Sequence, residues 1–259
     1  MAFQDILVTT PADHVAAITL NRPEQMNTFS TRMAQELNQA LLELNADQAV
    51  RVILLKGEGK AFCAGIDVKE LAGKTPMEYQ AWIETMEHPL VTISKLNKPV
   101  TAQVHGVAVA NGMGLAAAAD LVIAADNVRM GLTAINVGLN CVGPVLPVSR
   151  CVGRKKALEL LLYGNLIQAR EALDLGLVNK LVPKADLDDQ ALAWAAELAQ
   201  KSPVAVRIAK TAFYRSEDLH YEARFAYMNE AFARLCTTDD AKEGVSAFFE
   251  KRPPRWQEK

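Results

Sequence analysis

From residue 107 to residue 125 the chain is almost wholly apolar, and no other stretch constrains its fold so strongly. The run has about the length of a bilayer span. It is interrupted, however, by Asn111, Gly112, Gly114 and Asp120, and its many alanines are only weakly hydrophobic. A break at residues 112–114 divides it into a strand end, a short helix and a second strand, buried inside an α/β core. No membrane partner is expected.

The segments before this run alternate in type. Residues 6–9 and Val15–Leu20 read as strands, with a turn at 11–13. Met33, Leu37, Leu41 and Leu44 have the spacing of an amphipathic helix over 31–44. Residues 50–55 form a β-branched and leucine run that ends in the Gly57–Gly59 turn, and 99–105 and 120–125 predict further buried strands. This alternation predicts a mainly parallel sheet with helices outside. After Val142 the pattern turns helical, over 155–162, 169–175 and 186–201. Ser202 and Pro203 read as an N-cap and first helical residue. Thr238, Asp239 and Asp240 open a last helix that ends near Phe249. No Ser-, Gly- or Pro-rich linker intervenes. The predicted organisation is an α/β core over 1–190 and a C-terminal helical region over 191–259.

Charge and cysteine usage narrow the function. Lys and Arg number 28 against 30 Asp and Glu, so no excess positive charge marks a nucleic-acid or anionic-membrane partner. A hydrophobic share of 50% excludes a disordered chain. Cys63, Cys141, Cys151 and Cys236 are far apart, with no CxxC pair to suggest a disulfide framework or a zinc site. They are expected to be buried, reduced thiols. With no charged n-region and apolar run at the N-terminus, a cytoplasmic location is expected.

Two segments carry candidate chemistry. Residues 60–67, Lys-Ala-Phe-Cys-Ala-Gly-Ile-Asp, follow a strand and a glycine turn and lead to an acid able to cap a helix. Such a corner leaves backbone N–H groups free for an anion or a developing oxyanion, although a plain tight turn explains the pattern too. Residues 105–114 form a second strand end, with glycines that open a helix and allow close approach of a ligand. They match neither a P-loop nor the dinucleotide fingerprint.

Taken with Asn21-Arg22-Pro23-Glu24 and Asn27, these segments resemble the crotonase (enoyl-CoA hydratase/isomerase) superfamily. The resemblance runs on through Asp120, Leu175-Gly176-Leu177-Val178, Ser202-Pro203, Glu243-Gly244 and Phe248-Phe249-Glu250-Lys251-Arg252, and so covers essentially the whole chain. It implies a crotonase-like spiral of ββα units with a C-terminal helical appendage, assembled as a homotrimer or homohexamer. It also implies an acyl-CoA thioester substrate, with coenzyme A entering as part of that substrate and no permanently bound cofactor or metal. The oxyanion-hole amides fall on Ile66 and Asn111, the latter usually glycine in the family. Coenzyme A contacts fall on Glu24, Gln25, Met26, Ala64, Asp67, Val68, Phe248 and Lys251, although Lys251 also reads as a solvated lysine of a charged tail.

The departures from the family matter most. Hydratases of this type share a water between two glutamates, which add its proton and hydroxyl across a double bond. Here those positions are Gly114 and Ala134. Cys141 is a candidate substitute if its pKa is lowered, and otherwise a small apolar wall residue. Glu84, Glu87 and His88 precede Pro89 at what is often a mobile pocket edge, or lie on a polar helix face. His105 is expected to point away from the ligand. Pocket depth is expected to depend on Trp82, Met86, Leu139 and the C-terminal helices. The expected function is an acyl-CoA enzyme of the enoyl-CoA hydratase/isomerase type that stabilises a thioester enolate. A weakly catalytic thioester-binding protein, a decarboxylase and a thioester hydrolase are the alternatives.

Overall fold

The computed structural model describes residues 3–258. Met1, Ala2 and Lys259, which the 1–190 and 191–259 boundaries and the reading of the N-terminus take in, lie outside the described residues. The chain begins with β1 (Ile6–Ala12), β2 (Val15–Leu20), α1 (Thr31–Ala46), β3 (Val52–Gly57) and α2 (Pro76–Lys95). Then come β4 (Val100–Val104), β5 (Val107–Val109), α3 (Asn111–Ala118), β6 (Leu121–Ala125) and β7 (Arg129–Gly131). They are followed by α4 (Val145–Tyr163), β8 (Ile167–Gln168), α5 (Ala169–Asp174) and β9 (Lys180–Val182). Helices α6 (Leu187–Ala199), α7 (Pro203–Ser216), α8 (Tyr221–Cys236) and α9 (Asp239–Glu250) complete it.

Six strands make one sheet in the order β1-β2-β3-β4-β6-β9, and β5-β7-β8 make a second. In the large sheet the β1–β2 pair is antiparallel and the other four pairs are parallel. Strands β2 and β4 are buried along their whole length, as parallel strands covered on both faces must be. Side chains alternate between two cores. Ala16, Ile18, Ile53 and Leu55 join the main core with α1, α2 and α3, whereas Val15, Ala17, Val52 and Leu54 pack on Leu187, Ala191, Ala195 and Ala199 of α6.

The apolar run divides as its glycines predict, into β5, α3 and β6. Among the described residues no helix is long and apolar enough to cross a membrane. Ser202 caps α7 by accepting from the Ala205 N–H at 3.1 Å, with Pro203 at the first position, and Thr238 caps α9 in the same way.

Four expectations need correction. Strand β1 continues through Pro11 to Ala12, because on an edge strand a missing N–H costs no ladder bond; the turn falls instead at Asp13 and His14, whose φ is 63°. Strand β3 is Val52–Gly57, two residues later than predicted at each end. The 190/191 boundary falls inside α6, whose buried face belongs to the sheet core. Of the four cysteines, Cys63 and Cys141 are buried, but Cys151 on α4 and Cys236 at the end of α8 are exposed.

Candidate active site

The two candidate corners are stitched together through Cys63. Its N–H donates to the Val107 carbonyl at 3.2 Å, and its own carbonyl accepts from the Val109 N–H at 3.0 Å. That ties the segment after β3 to β5 and brings it against the start of α3. Two glycines make the approach possible. A Cβ on Gly65, whose φ is 95°, would lie 3.1 Å from the Ala110 Cβ, and one on Gly112 would overlap the Cys63 carbonyl.

Each corner frees one backbone donor. Phe29 and Ile66 form a parallel bridge in which the Phe29 N–H donates to Gly65 at 2.7 Å and the Asp67 N–H donates to Phe29 at 3.0 Å. The bonds of such a bridge go to the residues flanking Ile66, so the Ile66 N–H points the other way. Asn111 is the first residue of α3, and first-turn N–H groups have no acceptor within a helix. Before it, Ala110 adopts φ 49° and ψ −116°, a conformation that costs a non-glycine residue about 1–3 kcal/mol. The sequence carried no sign of that strain. The Asn111 Nδ2 is buried with no hydrogen-bond partner.

Ile66 and Asn111 line the same cleft, of about 470 Å³, with Leu71, Tyr79, Trp82, Ile83, Leu139 and Cys141 among its walls. Its volume falls within the range of small-molecule sites, and its lining is mainly apolar with a few polar groups. Trp82 and Leu139 are on the wall as expected. Met86 instead faces the core, fully buried, and the C-terminal helices contribute nothing to this cleft.

Residues 11–259 match the family described as Enoyl-CoA hydratase/isomerase. A putative enoyl-CoA hydratase of Thermus thermophilus is 40% identical over 256 residues, covering 96% of this chain and 100% of that protein. An (E)-benzylidenesuccinyl-CoA hydratase of Thauera aromatica is 35% identical, covering 95% and 96%. The crystal structure of an enoyl-CoA hydratase of Mycobacterium smegmatis superposes with a TM-score of 0.94 at 38% identity, covering 98% of this chain and 99% of that one. The chain belongs to the enoyl-CoA hydratase/isomerase family. Its fold is the crotonase fold, and it is a hydratase/isomerase-like enzyme.

Gly114 and Ala134, the positions that the sequence resemblance aligns with glutamates, have different surroundings. A Cβ on Gly114 would lie 2.7 Å from the Pro144 Cβ and 3.2 Å from the Leu90 Cδ2, so no longer side chain fits there. Ala134 is half-buried and opens onto the cleft. Cys141 lines the cleft, and burial pushes its thiol pKa up, not down. Among the described residues of the cleft wall, Glu87 is the only one that carries a carboxylate. Glu84 and His88, grouped with it in the sequence, are exposed. His105 turns away, its Nε2 3.0 Å from the Gly59 carbonyl.

The coenzyme A positions divide into two groups. Glu24 and Gln25 lie in an exposed 3₁₀ turn that ends at Met26, whose carbonyl accepts from the Ala64 N–H at 3.1 Å. Asp67, beside Ile66, accepts from Arg22 at 2.9 Å, and that hydrogen bond holds its carboxyl below the usual range. Val68 follows, exposed. These six residues therefore gather next to the Ile66 corner. Phe248 and Lys251 do not join them: they sit exposed on and just after α9, off the cleft wall. Among the described residues, no group of three or more His, Cys, Asp or Glu side chains is placed to hold a metal ion.

Proposed function

We propose that the chain binds acyl-CoA thioesters with an apolar acyl group and stabilises the enolate of the thioester with the N–H groups of Ile66 and Asn111. One observation carries this reading: two unengaged backbone donors, on different elements, open into one mainly apolar cleft. Charge that develops on the thioester oxygen would meet fixed donors in a dry site, each worth about 3 kcal/mol. Glu24, Gln25, Met26, Ala64, Asp67 and Val68 form the wall past which coenzyme A would run.

Phe248 and Lys251 would reach coenzyme A from a neighbouring subunit of a trimer or hexamer. In support, α8 and α9 expose Phe225, Phe232, Phe248 and Phe249, the last two at 78% and 76%. Large exposed aromatic side chains on two neighbouring helices are what an interaction surface offers.

Calorimetric titration with coenzyme A and several acyl-CoAs, followed by an activity screen over enoyl-, dienoyl- and β-ketoacyl-CoAs, tests the reading. Binding with turnover of an enoyl- or dienoyl-CoA is the expected result. Binding without turnover favours a thioester-binding protein, and turnover of only a β-ketoacyl-CoA favours a decarboxylase or hydrolase. Absence of binding to every thioester would sink the reading.

A further inference from the structure

The loop before α4 does two things at once. Pro144 closes over Gly114, removing the space for a side chain on α3. Its neighbour Gly143 leaves space on the other side: a Cβ there would overlap the carboxyl group of Glu87, which lies directly against the Gly143 backbone. Glu87 reaches this place from α2, whose adjacent Met86 is buried in the main core. It borders two clefts, the one that contains Ile66 and Asn111 and a second of about 460 Å³ between α2, α4 and α7.

From this arrangement we propose that Glu87 is the proton-transfer group of the site, doing from α2 the work that the absent carboxylates of α3 and Ala134 do elsewhere in the family. The proposal rests on the thioester reading above. As carboxylate, Glu87 takes the proton from the carbon next to the thioester. The C–H electron pair becomes the carbon–carbon π bond of the enolate, and the carbonyl π pair moves to the oxygen held by the two amides. The resulting carboxylic acid returns the proton to the same carbon or, in a β,γ-unsaturated substrate, to the γ-carbon, which leaves the double bond conjugated with the thioester. Hydration uses the same group in the other sense: Glu87 takes a proton from the water whose oxygen bonds the β-carbon, then gives it to the α-carbon. No further co-reactant is needed.

Its electrostatics suit a base. Burial raises the Glu87 carboxyl, and no cation beside it opposes the shift. A base that must work near neutral pH gains from such a rise. The titratable and charged groups that share its clefts are Tyr79 and Cys141 in the first and Asp120, Arg150, Cys151, Tyr214, Glu217 and Asp218 in the second. Arg150 is already paired with Glu217 and Asp218, and Asp120 accepts from Tyr214 and Lys210.

The test follows exchange of the α-protons of butanoyl-CoA in D2O by mass spectrometry, alongside calorimetric binding of the same thioester, with the full chain. The wild type is expected to exchange, with a rate that falls on acidification through a pKa above the ordinary carboxylate range. Glu87→Gln should bind as tightly but exchange about 100-fold more slowly or worse, the usual worth of a positioned acid–base group, and lose that pH limb. Gly143→Ala, which displaces the carboxyl without removing it, should slow exchange too. Glu84→Gln, on the exposed face of the same helix, should match the wild type. Glu87→Gln exchanging at the wild-type rate would overturn the proposal and leave the thioester reading standing. Binding without exchange in the wild type would also overturn it, and failure of the wild type to bind would remove both.

Discussion

Pro144 stands over Gly114 so closely that a single added methyl would sit 2.7 Å from the proline Cβ and 2.9 Å from its Cα. The position that the sequence resemblance aligns with a glutamate is thus filled by backbone and ring, not left open.

Restoring that glutamate should therefore fail. Gly114→Glu is expected to lose about 2 kcal/mol or more in urea unfolding, from overpacking and burial of an unpaired carboxyl, and to gain no hydratase activity. Ala134→Glu, facing the cleft, should fold close to wild-type stability. An active and stable Gly114→Glu would show that the α4 loop is free to move aside.

The two amide corners depend on Gly112. Gly112→Ala drives a methyl into the Cys63 carbonyl, and backbone on both sides leaves little room for relief. The variant is expected to lose thioester turnover in far greater proportion than it loses thermal stability, because the two donors separate. Kinetics and calorimetric melting on one preparation check this, and equal losses would count against it.

Glu87 should give a pH signature in stability. A carboxyl whose pKa is higher folded than unfolded binds more protons when folded, so its contribution to stability falls as pH rises between the two values. Glu87→Gln is thus expected to melt above the wild type at neutral pH, with the difference vanishing below the ordinary carboxylate range. A constant difference across pH would contradict this.

Lys210 ties the helical region to the sheet. Its Nζ lies 2.6 Å from Asp120, which also accepts from Tyr214 at 2.9 Å and from the Val100 N–H at 2.6 Å. Both charged groups are largely buried, and burial lowers the lysine pKa. Lys210→Met leaves the carboxylate unpaired and is expected to cost about 3 kcal/mol or more in denaturant unfolding. Adding Asp120→Asn should recover part of that loss.

The sequence made the strand–helix alternation, the division of residues 107–125 and the caps at Ser202 and Thr238 legible, because each is a local pattern. The Ile66 and Asn111 corners were legible as motifs, although their meeting depends on Cys63 bonding to β5. Glu87 could not be singled out from Glu84 and His88. One residue along a helix turns a side chain about 100°. Which of these three faces the cleft is decided by a loop distant in sequence, where Gly143 makes room and Pro144 removes it. The positive φ of Ala110 was hidden for a similar reason: alanine gives no sign of it, and the contacts around it, the Gly65 backbone and the Gly131 carbonyl that accepts from its N–H at 2.8 Å, come from segments distant in sequence.

Whether Ile66 and Asn111 hold a thioester oxyanion is read from the ultraviolet difference spectrum of bound acetoacetyl-CoA. This β-ketoacyl thioester ionises without help, and a site that stabilises the oxygen charge raises its enolate share. An enolate band is expected that saturates with added protein, persists in Glu87→Gln and weakens in Gly112→Ala. Binding of acetoacetyl-CoA with no enolate band would contradict it.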